Sequence, residues 1–313
     1  MSKNKIVFMG TPKFALFVLK KIYYSKHELV AIVTRSDKKK DRGHDVKFSP
    51  VKEFALEKNI LLLQPENLKD DLFLRELKNF DADYFIVAAY GRILSKQILE
   101  IPNKFCINVH ASILPKFRGA SPIQHAILSG EKKTGITLMR MDAGMDTGDI
   151  IRQKEIDIKK DDNFDELYEK LAILGSEMLI NILDNDKNIF FTKQNDILAS
   201  YAPVIKKSDS EIDFSKTNLE ILNLIRAMNP KPGAFFLYNK KILKIFEAEE
   251  FNDLNKLNSN LKSNYIFVIN KKKLVAKTAD GYISIKKIQE PGKKIINIQE
   301  YLAAHKDDFI NLK

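Results

Sequence analysis

The chain has no tryptophan, a single cysteine and five histidines among 313 residues. With Cys106 alone there is no internal disulfide and no thiolate metal cluster. The histidines show no ligand spacing, so no metal is expected. The longest apolar run, Tyr84 to Tyr90, is seven residues, against the ~20 that a bilayer-spanning helix needs, so no membrane span is expected. The opening MSKNKIVFMG carries charge and alternates into a short strand, unlike the apolar stretch of a secretory signal. Glycine is also scarce where it would matter most. Gly10-Thr11-Pro12 holds one of the three glycines of a dinucleotide fingerprint, and no Gly-Lys-Ser/Thr follows it. These absences leave a reduced, cytoplasmic-type protein.

Hydrophobic residues make up 44% and charged residues 30%, a globular rather than a disordered balance over a length that suits two domains. The net charge is +11, which suggests an anionic partner such as nucleic acid. The charge is uneven. Residues 1–205 carry 32 cations against 28 acids, and residues 206–313 carry 20 against 13.

Short apolar runs at 5–9, 29–34, 60–63, 84–89 and 105–109 alternate with amphipathic helical stretches, which predicts crossover units and a mostly parallel, Rossmann-like sheet. Strands are expected at 136–141 and 150–158, and a helix from 164 to about 183 closes a catalytic domain over 1–183. Residues 184–207 lack periodicity and read as a linker. Over 208–313, a helix at 219–228 and five short β runs (234–238, 242–246, 265–269, 274–278, 282–288) predict a small OB-like β-barrel.

In an open parallel sheet, ligands bind beyond the carboxyl ends of the strands. That rule selects Gly10–Pro12, Tyr90–Leu94, Asn108–Ser112 and the Asp142–Asp149 loop. Gly10–Pro12 reads first as a tight strand-to-helix turn. On a strand, positions i and i+2 share a face, so Asn108 and His110 project together. An amide N–H and an imidazole there can serve an oxyanion and a proton transfer, although a polar pair satisfied within the core has the same spacing. The loop 111–122 holds two prolines, a glycine and two cations, a costly segment to order unless it shapes a site. Residues 142–149 place Asp142, Asp146 and Asp149 among two glycines without the glutamate of a calcium loop. Asp146, mid-loop between the glycines, is the carboxylate chosen to orient His110.

At these residues the sequence resembles the folate-dependent formyltransferases. The matching segments are KIVFMGTPKFA (5–15), VAAYGRIL (87–94), INVHASILPKFRGASPIQHAI (107–127) and TGITLMRMDAGMDTGDI (134–150). The match continues through YAPVIKKSDSEIDF (201–214) and NPKPGAF (229–235). The long middle block and the second domain point to the branch of the family that acts on charged initiator tRNA. The resemblance implies formyl transfer from 10-formyltetrahydrofolate, as co-substrate and without metal, to the α-amine of methionyl-initiator tRNA. Asn108 and His110 would stabilise the oxyanion, and Asp146 would polarise His110 and help move a proton. Gly91, Arg92, Ile93 and Leu94, chiefly by their backbone, and Ser112, Ile113, Leu114 and Pro115 would hold the folate. For Ile93, Leu94 and Ile113, ordinary core packing stands open beside that role.

The same resemblance implies a basic loop reaching the tRNA acceptor end, where Lys38, Lys39, Lys40 and Arg42 fall. Lys206 and Lys207 at the end of the linker, and Lys271, Lys272 and Lys273 in the second domain, are the further candidate RNA contacts. Residues 271–294 hold eight lysines against Asp280 and Glu290, although a charge run is also what a solvated face looks like. A monomer is expected. Another formyl-folate enzyme, acting on an amino-sugar nucleotide or a glycinamide ribonucleotide or hydrolysing formyl-folate, and an inert RNA-binding relative are the alternatives; the first would not need the basic segments and the second would not need the Asn/His/Asp set.

Overall fold

The computed structural model of the protein describes residues 3–37, 48–252, 266–269, 272–305 and 309–312. Two compact units emerge. The first comprises residues 1–122, 133–157 and 168–203, and the second comprises 123–132, 158–167 and 204–313. The last crossing between the units, at 203/204, lies inside the stretch 184–207 expected as a linker, and residues 184–203 of that stretch group with the first unit. Thr192 exchanges backbone hydrogen bonds with Ile150 at 2.8 and 2.9 Å, and Ala202 N–H donates to Arg118 O at 2.7 Å. Without periodicity, such single-bridge pairing leaves no pattern in the sequence.

In the first unit the strands are β1 (Lys5–Gly10), β2 (Glu28–Val33), β3 (Leu62–Leu63), β4 (Tyr84–Ala88), β5 (Phe105–His110), β6 (Lys133–Arg140) and β7 (Ile150–Asp157). They form one sheet in the order β3-β2-β1-β4-β5-β6-β7. The first five strands are parallel, and β6 and β7 are antiparallel. The central strands are apolar throughout because both faces are covered: Ile6 to Met9 and Tyr84 to Ala88 are buried. Phe73, Leu74 and Leu77 of helix α3 (Asp71–Asn79) pack with Val7, Met9, Phe85 and Val87 on one face. Helix α1 (Lys13–Tyr23) follows β1, and α2 (Pro50–Glu57) is capped by Ser49, whose Oγ accepts from Lys52 N. The short α4 (Lys96–Leu99) belongs to this unit, whereas α5 (Pro122–Leu128) beyond Pro122 and the first turn of the long α6 (Phe164–Asp184) group with the second. At Gly175 on α6 a Cβ would lie 2.7 Å from Val109 Cγ1, so this helix approaches β5 as closely as a backbone can.

Gly10 confirms the tight turn at the end of β1. A Cβ there would meet Ala15 Cβ at 2.5 Å and Ala88 O at 2.8 Å.

The second unit holds α7 (Asn218–Ala227) and β8 (Ala234–Tyr238), β9 (Lys241–Glu250), β10 (Ile266–Ile269), β11 (Lys273–Lys277), β12 (Tyr282–Gln289), β13 (Ile296–Asn297), α8 (Ile298–Ala304) and β14 (Ile310–Leu312). The path β14-β10-β11-β12-β9-β8 is antiparallel except at β10–β14 and forms an OB-like half-barrel, with β13 on β12. Helix α7 begins with a capping box between Thr217 and Glu220. Its Ile221 and Ile225 join Leu243, Ile245, Ile283 and Ile285 in the core. Phe214 meets Phe236 edge-to-face at 5.5 Å. Helix α8 and strand β14 escape the sequence reading because each is short and carries no clear period.

Phe85 is fully buried on a central strand. Phe85→Ala is expected to cost ~3–5 kcal/mol, read as a lowered urea midpoint with an unchanged slope.

Candidate active site

Strand β5 is the junction of the parallel and antiparallel halves of the sheet. Asn108 lies opposite Met139 and His110 opposite Thr137 of β6, while Val87 of β4 is the parallel neighbour of Asn108. Both side chains are largely buried, at 9% and 5% exposure. Alternation along the strand sends them to the same side, as expected.

Asp146 reaches them from the turn between β6 and β7. That turn is built by Asp142, whose Oδ1 accepts from Gly144 N at 3.1 Å and from Thr147 Oγ1 at 2.7 Å. Its base closes with Arg140 N–H donating to Asp149 O and Met141 N–H donating to Cys106 O on β5. Gly148 is required because a Cβ would stand 1.8 Å from Arg140 O. Asp146 itself has φ +54°, in the left-handed region that aspartate tolerates better than most residues. The three carboxylates thus divide: Asp142 builds the turn, Asp149 lends its carbonyl to the base, and Asp146 faces the site.

The Asp146 carboxylate is held at both oxygens. Asn108 Nδ2 donates to Oδ1 at 3.2 Å, and Gly119 N–H donates to Oδ2 at 2.8 Å. His110 Nδ1 lies 3.6 Å from the same Oδ2, and His110 Nε2 lies 3.0 Å from the carbonyl of Phe117. Each ring nitrogen therefore faces an oxygen acceptor. An amide with two N–H donors, an imidazole and a carboxylate converge at the carboxyl end of one strand, a donor set suited to an oxygen that gains charge and to a proton in transit. Cys106, two residues before Asn108, is not a nucleophile: burial pushes its thiol up to about 12.

The segments expected to hold folate follow β4 and β5, which are neighbours, and so lie side by side at the same end of the sheet. Their side chains divide sharply. Ile93 is 80% exposed, which rules out core packing for it, and Ile113 and Pro115 are partly exposed. Leu94, Ser112 and Leu114 are turned inward. Ser112 Oγ donates to Lys116 O at 2.6 Å, and Leu94 belongs to the core beneath β4. Arg92 donates to Pro65 O at 2.7 Å and to Glu66 O at 2.8 Å, pinning the chain after β3. Gly91 has φ +73°, and Arg35 Nη1 would stand 3.3 Å from a Cβ there. The backbone here is also engaged: Leu114 N–H donates to Thr137 Oγ1 at 3.0 Å, Leu114 O accepts from Gln153 Nε2 at 2.7 Å, and Ser112 O accepts from Thr137 Oγ1 at 2.7 Å.

Of the RNA candidates, Lys38, Lys39, Lys40, Arg42 and Lys271 lie outside the described residues. Lys206, Lys207, Lys272 and Lys273 are exposed, with Lys273 Nζ 5.3 Å from the Phe251 ring centroid. Among the described residues, no group of three or more His, Cys, Asp or Glu is placed to hold a metal ion, and no helix is long and apolar enough to cross a membrane.

The formyl transferase family model matches residues 4–183, and the formyl transferase C-terminal domain model matches residues 204–306. A methionyl-tRNA formyltransferase of Caldanaerobacter subterraneus is 44% identical over 306 residues, covering 96% of this chain and 97% of the relative. The chain belongs to the methionyl-tRNA formyltransferase family. Among solved structures, the methionyl-tRNA formyltransferase from Clostridium thermocellum superposes with a TM-score of 0.53 at 23% identity, covering 80% of this chain and 95% of that one. An N-formyltransferase from Helicobacter canadensis gives 0.65 at 23% identity, covering 92% and 100%. These likenesses show a shared fold.

Sequence reasoning does not single out Gly119, yet its N–H fixes Asp146. Its φ is +121°, and a Cβ would lie 2.7 Å from the Ala202 carbonyl. Gly119→Ala is expected to displace that N–H and lower kcat by about 10²-fold, the usual penalty for a displacement near 1 Å at a reacting centre. Steady-state kinetics on the folded variant checks this.

Proposed function

We propose that the chain transfers the formyl group of 10-formyltetrahydrofolate to the α-amino group of methionyl-initiator tRNA, as a monomer in the cytoplasm. The observation that carries this reading is the convergence of Asn108, His110 and Asp146 on one strand end, in a chain of this family. The residues around that end fit a formyl-folate. Gly91, in the left-handed region, keeps the chain after β4 free of a Cβ, and exposed Ile93 offers apolar cover to a flat ring.

Bound formyl-folate would supply the activated formyl carbon. Asn108 Nδ2 donates to the oxygen that gathers negative charge as the amine adds. Its amide is already oriented by Asp146, so little reorganisation is needed, and losing such a donor typically costs ~2.7–4 kcal/mol of transition-state stabilisation. His110 and Asp146 hold the proton released by the amine and pass it towards the departing nitrogen. Burial of Asn108 and His110 strengthens these interactions by excluding water.

Small-amine formylation is the competing reading. Purified protein is incubated with 10-formyltetrahydrofolate and either methionyl-initiator tRNA or free methionine and small amines. Formyl-methionyl-tRNA is the expected product, and formylation of the small amines alone overturns the assignment. His110→Ala is expected to lower formylation by about 10²–10⁴-fold, the range for loss of a general acid–base group, while tRNA affinity stays within a few-fold. Near-normal turnover in that variant removes His110 from the mechanism.

The cationic segment is tested separately. Replacing Lys38, Lys39, Lys40 and Arg42 by alanine is expected to weaken tRNA binding. It should also flatten the plot of log affinity against log salt, by up to about 0.9 for each phosphate no longer neutralised. An unchanged slope in a filter-binding titration takes this segment out of RNA recognition.

A further inference from the structure

Residues 190–203 do more than connect two units. Gln194, 48 positions beyond Asp146, donates from one amide nitrogen to two carbonyls of the β6–β7 turn: Asp146 O at 2.8 Å and Gly148 O at 2.7 Å. The amide is not free to turn over. Its Oε1 accepts from Arg118 Nε at 3.1 Å and from Arg118 Nη2 at 2.8 Å. A guanidinium has donors only, so the opposite orientation of the amide would set donor against donor. Arg118 is itself only 3% exposed, and its Nη2 also donates to Asp196 Oδ1 at 2.6 Å, which balances the buried charge.

We propose that Gln194 is a positioning residue for Asp146, oriented by Arg118 and resting on the catalytic role assigned to Asp146 above. The bridge spans the carbonyls on either side of Thr147 and holds Asp146 at its positive φ, a conformation that persists only where surrounding contacts over-determine it. Gly119, the residue after Arg118, meanwhile holds the carboxylate. One dipeptide thus fixes Asp146 from both ends, directly through Gly119 N–H and indirectly through Gln194. The segment carrying Gln194 is anchored on either side, by the Thr192–Ile150 pair and by Ser200 N–H donating to Pro115 O at 3.2 Å.

The test is a double-mutant cycle with Asp146→Asn, on the full chain, reading kcat and both KM values. Gln194→Ala is expected to lower kcat by about 10–100-fold with each KM within about threefold, as a misplaced reacting group does. In the Asp146→Asn background the same change should cost less than about twofold, because residues acting as a unit are non-additive. Gln194→Glu keeps the length and the Arg118 contact but cannot donate to the two carbonyls. It should repeat the kcat loss, and it carries the test should the alanine variant not fold. Equal losses in both backgrounds, or a rise in KM alone, or a kcat within twofold of wild type, overturn the proposal. Activity of the wild type and its loss in Asp146→Asn are read in the same series, so a failure of the catalytic assignment shows itself independently of Gln194.

Discussion

Two hydrogen bonds to one carboxylate organise the site. Asn108 Nδ2 and Gly119 N–H each take an oxygen of Asp146, and His110 stands 3.6 Å from the second oxygen. The groups come from three stretches of chain: a strand, the loop after it, and, for the acceptor, a turn well beyond both. An isolated carboxylate at 16% side-chain exposure would be costly to keep charged. Paired donors of this kind offset that cost and at the same time fix direction, which is the part catalysis requires.

The sheet explains why the pairing can occur at all. Strand β5 has a parallel neighbour on one side and an antiparallel one on the other. Its parallel side sets β4 and the segment 89–94 at the same end as His110. Its antiparallel side runs back down the strand, with Thr137 beside His110 and Arg140 beside Ile107. The chain leaves β6 level with Cys106, where Met141 N–H donates to the Cys106 carbonyl. The turn that follows is therefore already alongside β5, and its middle reaches back to Asn108 and Gly119. A parallel β6 would have released the chain only beyond the carboxyl ends of the strands. The antiparallel return lets a carboxylate approach the amide and imidazole from their flank.

Much of this was legible in the sequence. The doubly covered strands read as unbroken apolar runs, and the Asn-x-His spacing implied a shared face through the period of two. Asp146 is preferred over Asp142 and Asp149 by its mid-loop position and by the family resemblance, and the geometry gives the reason: a carboxylate at the start of a tight turn caps the turn, as Asp142 does, and cannot also face outward. The irregular loops were harder. Ile93 and Leu94 are adjacent and apolar, yet one is exposed and the other is core, because no period governs side-chain direction outside helices and strands. Gln194 gave no signal. Its partners are two backbone carbonyls and a guanidinium, and nothing in residues 184–207 distinguishes a chain pinned by single bridges from one that merely spans a gap.

The Arg118–Gln194–Asp146 relay also has an electrostatic logic. Arg118 is a buried cation close in sequence to the donor that binds Asp146, and a direct guanidinium–carboxylate pair is the stronger, bidentate arrangement available to it. Such a pair would commit Asp146 to a fixed counter-charge. In this structure the guanidinium is paired with Asp196 instead, and a neutral amide stands between it and the backbone of Asp146. Gln194 therefore passes on orientation without passing on charge. The carboxylate is left facing the imidazole, 3.6 Å away, while the buried arginine still governs where that carboxylate points.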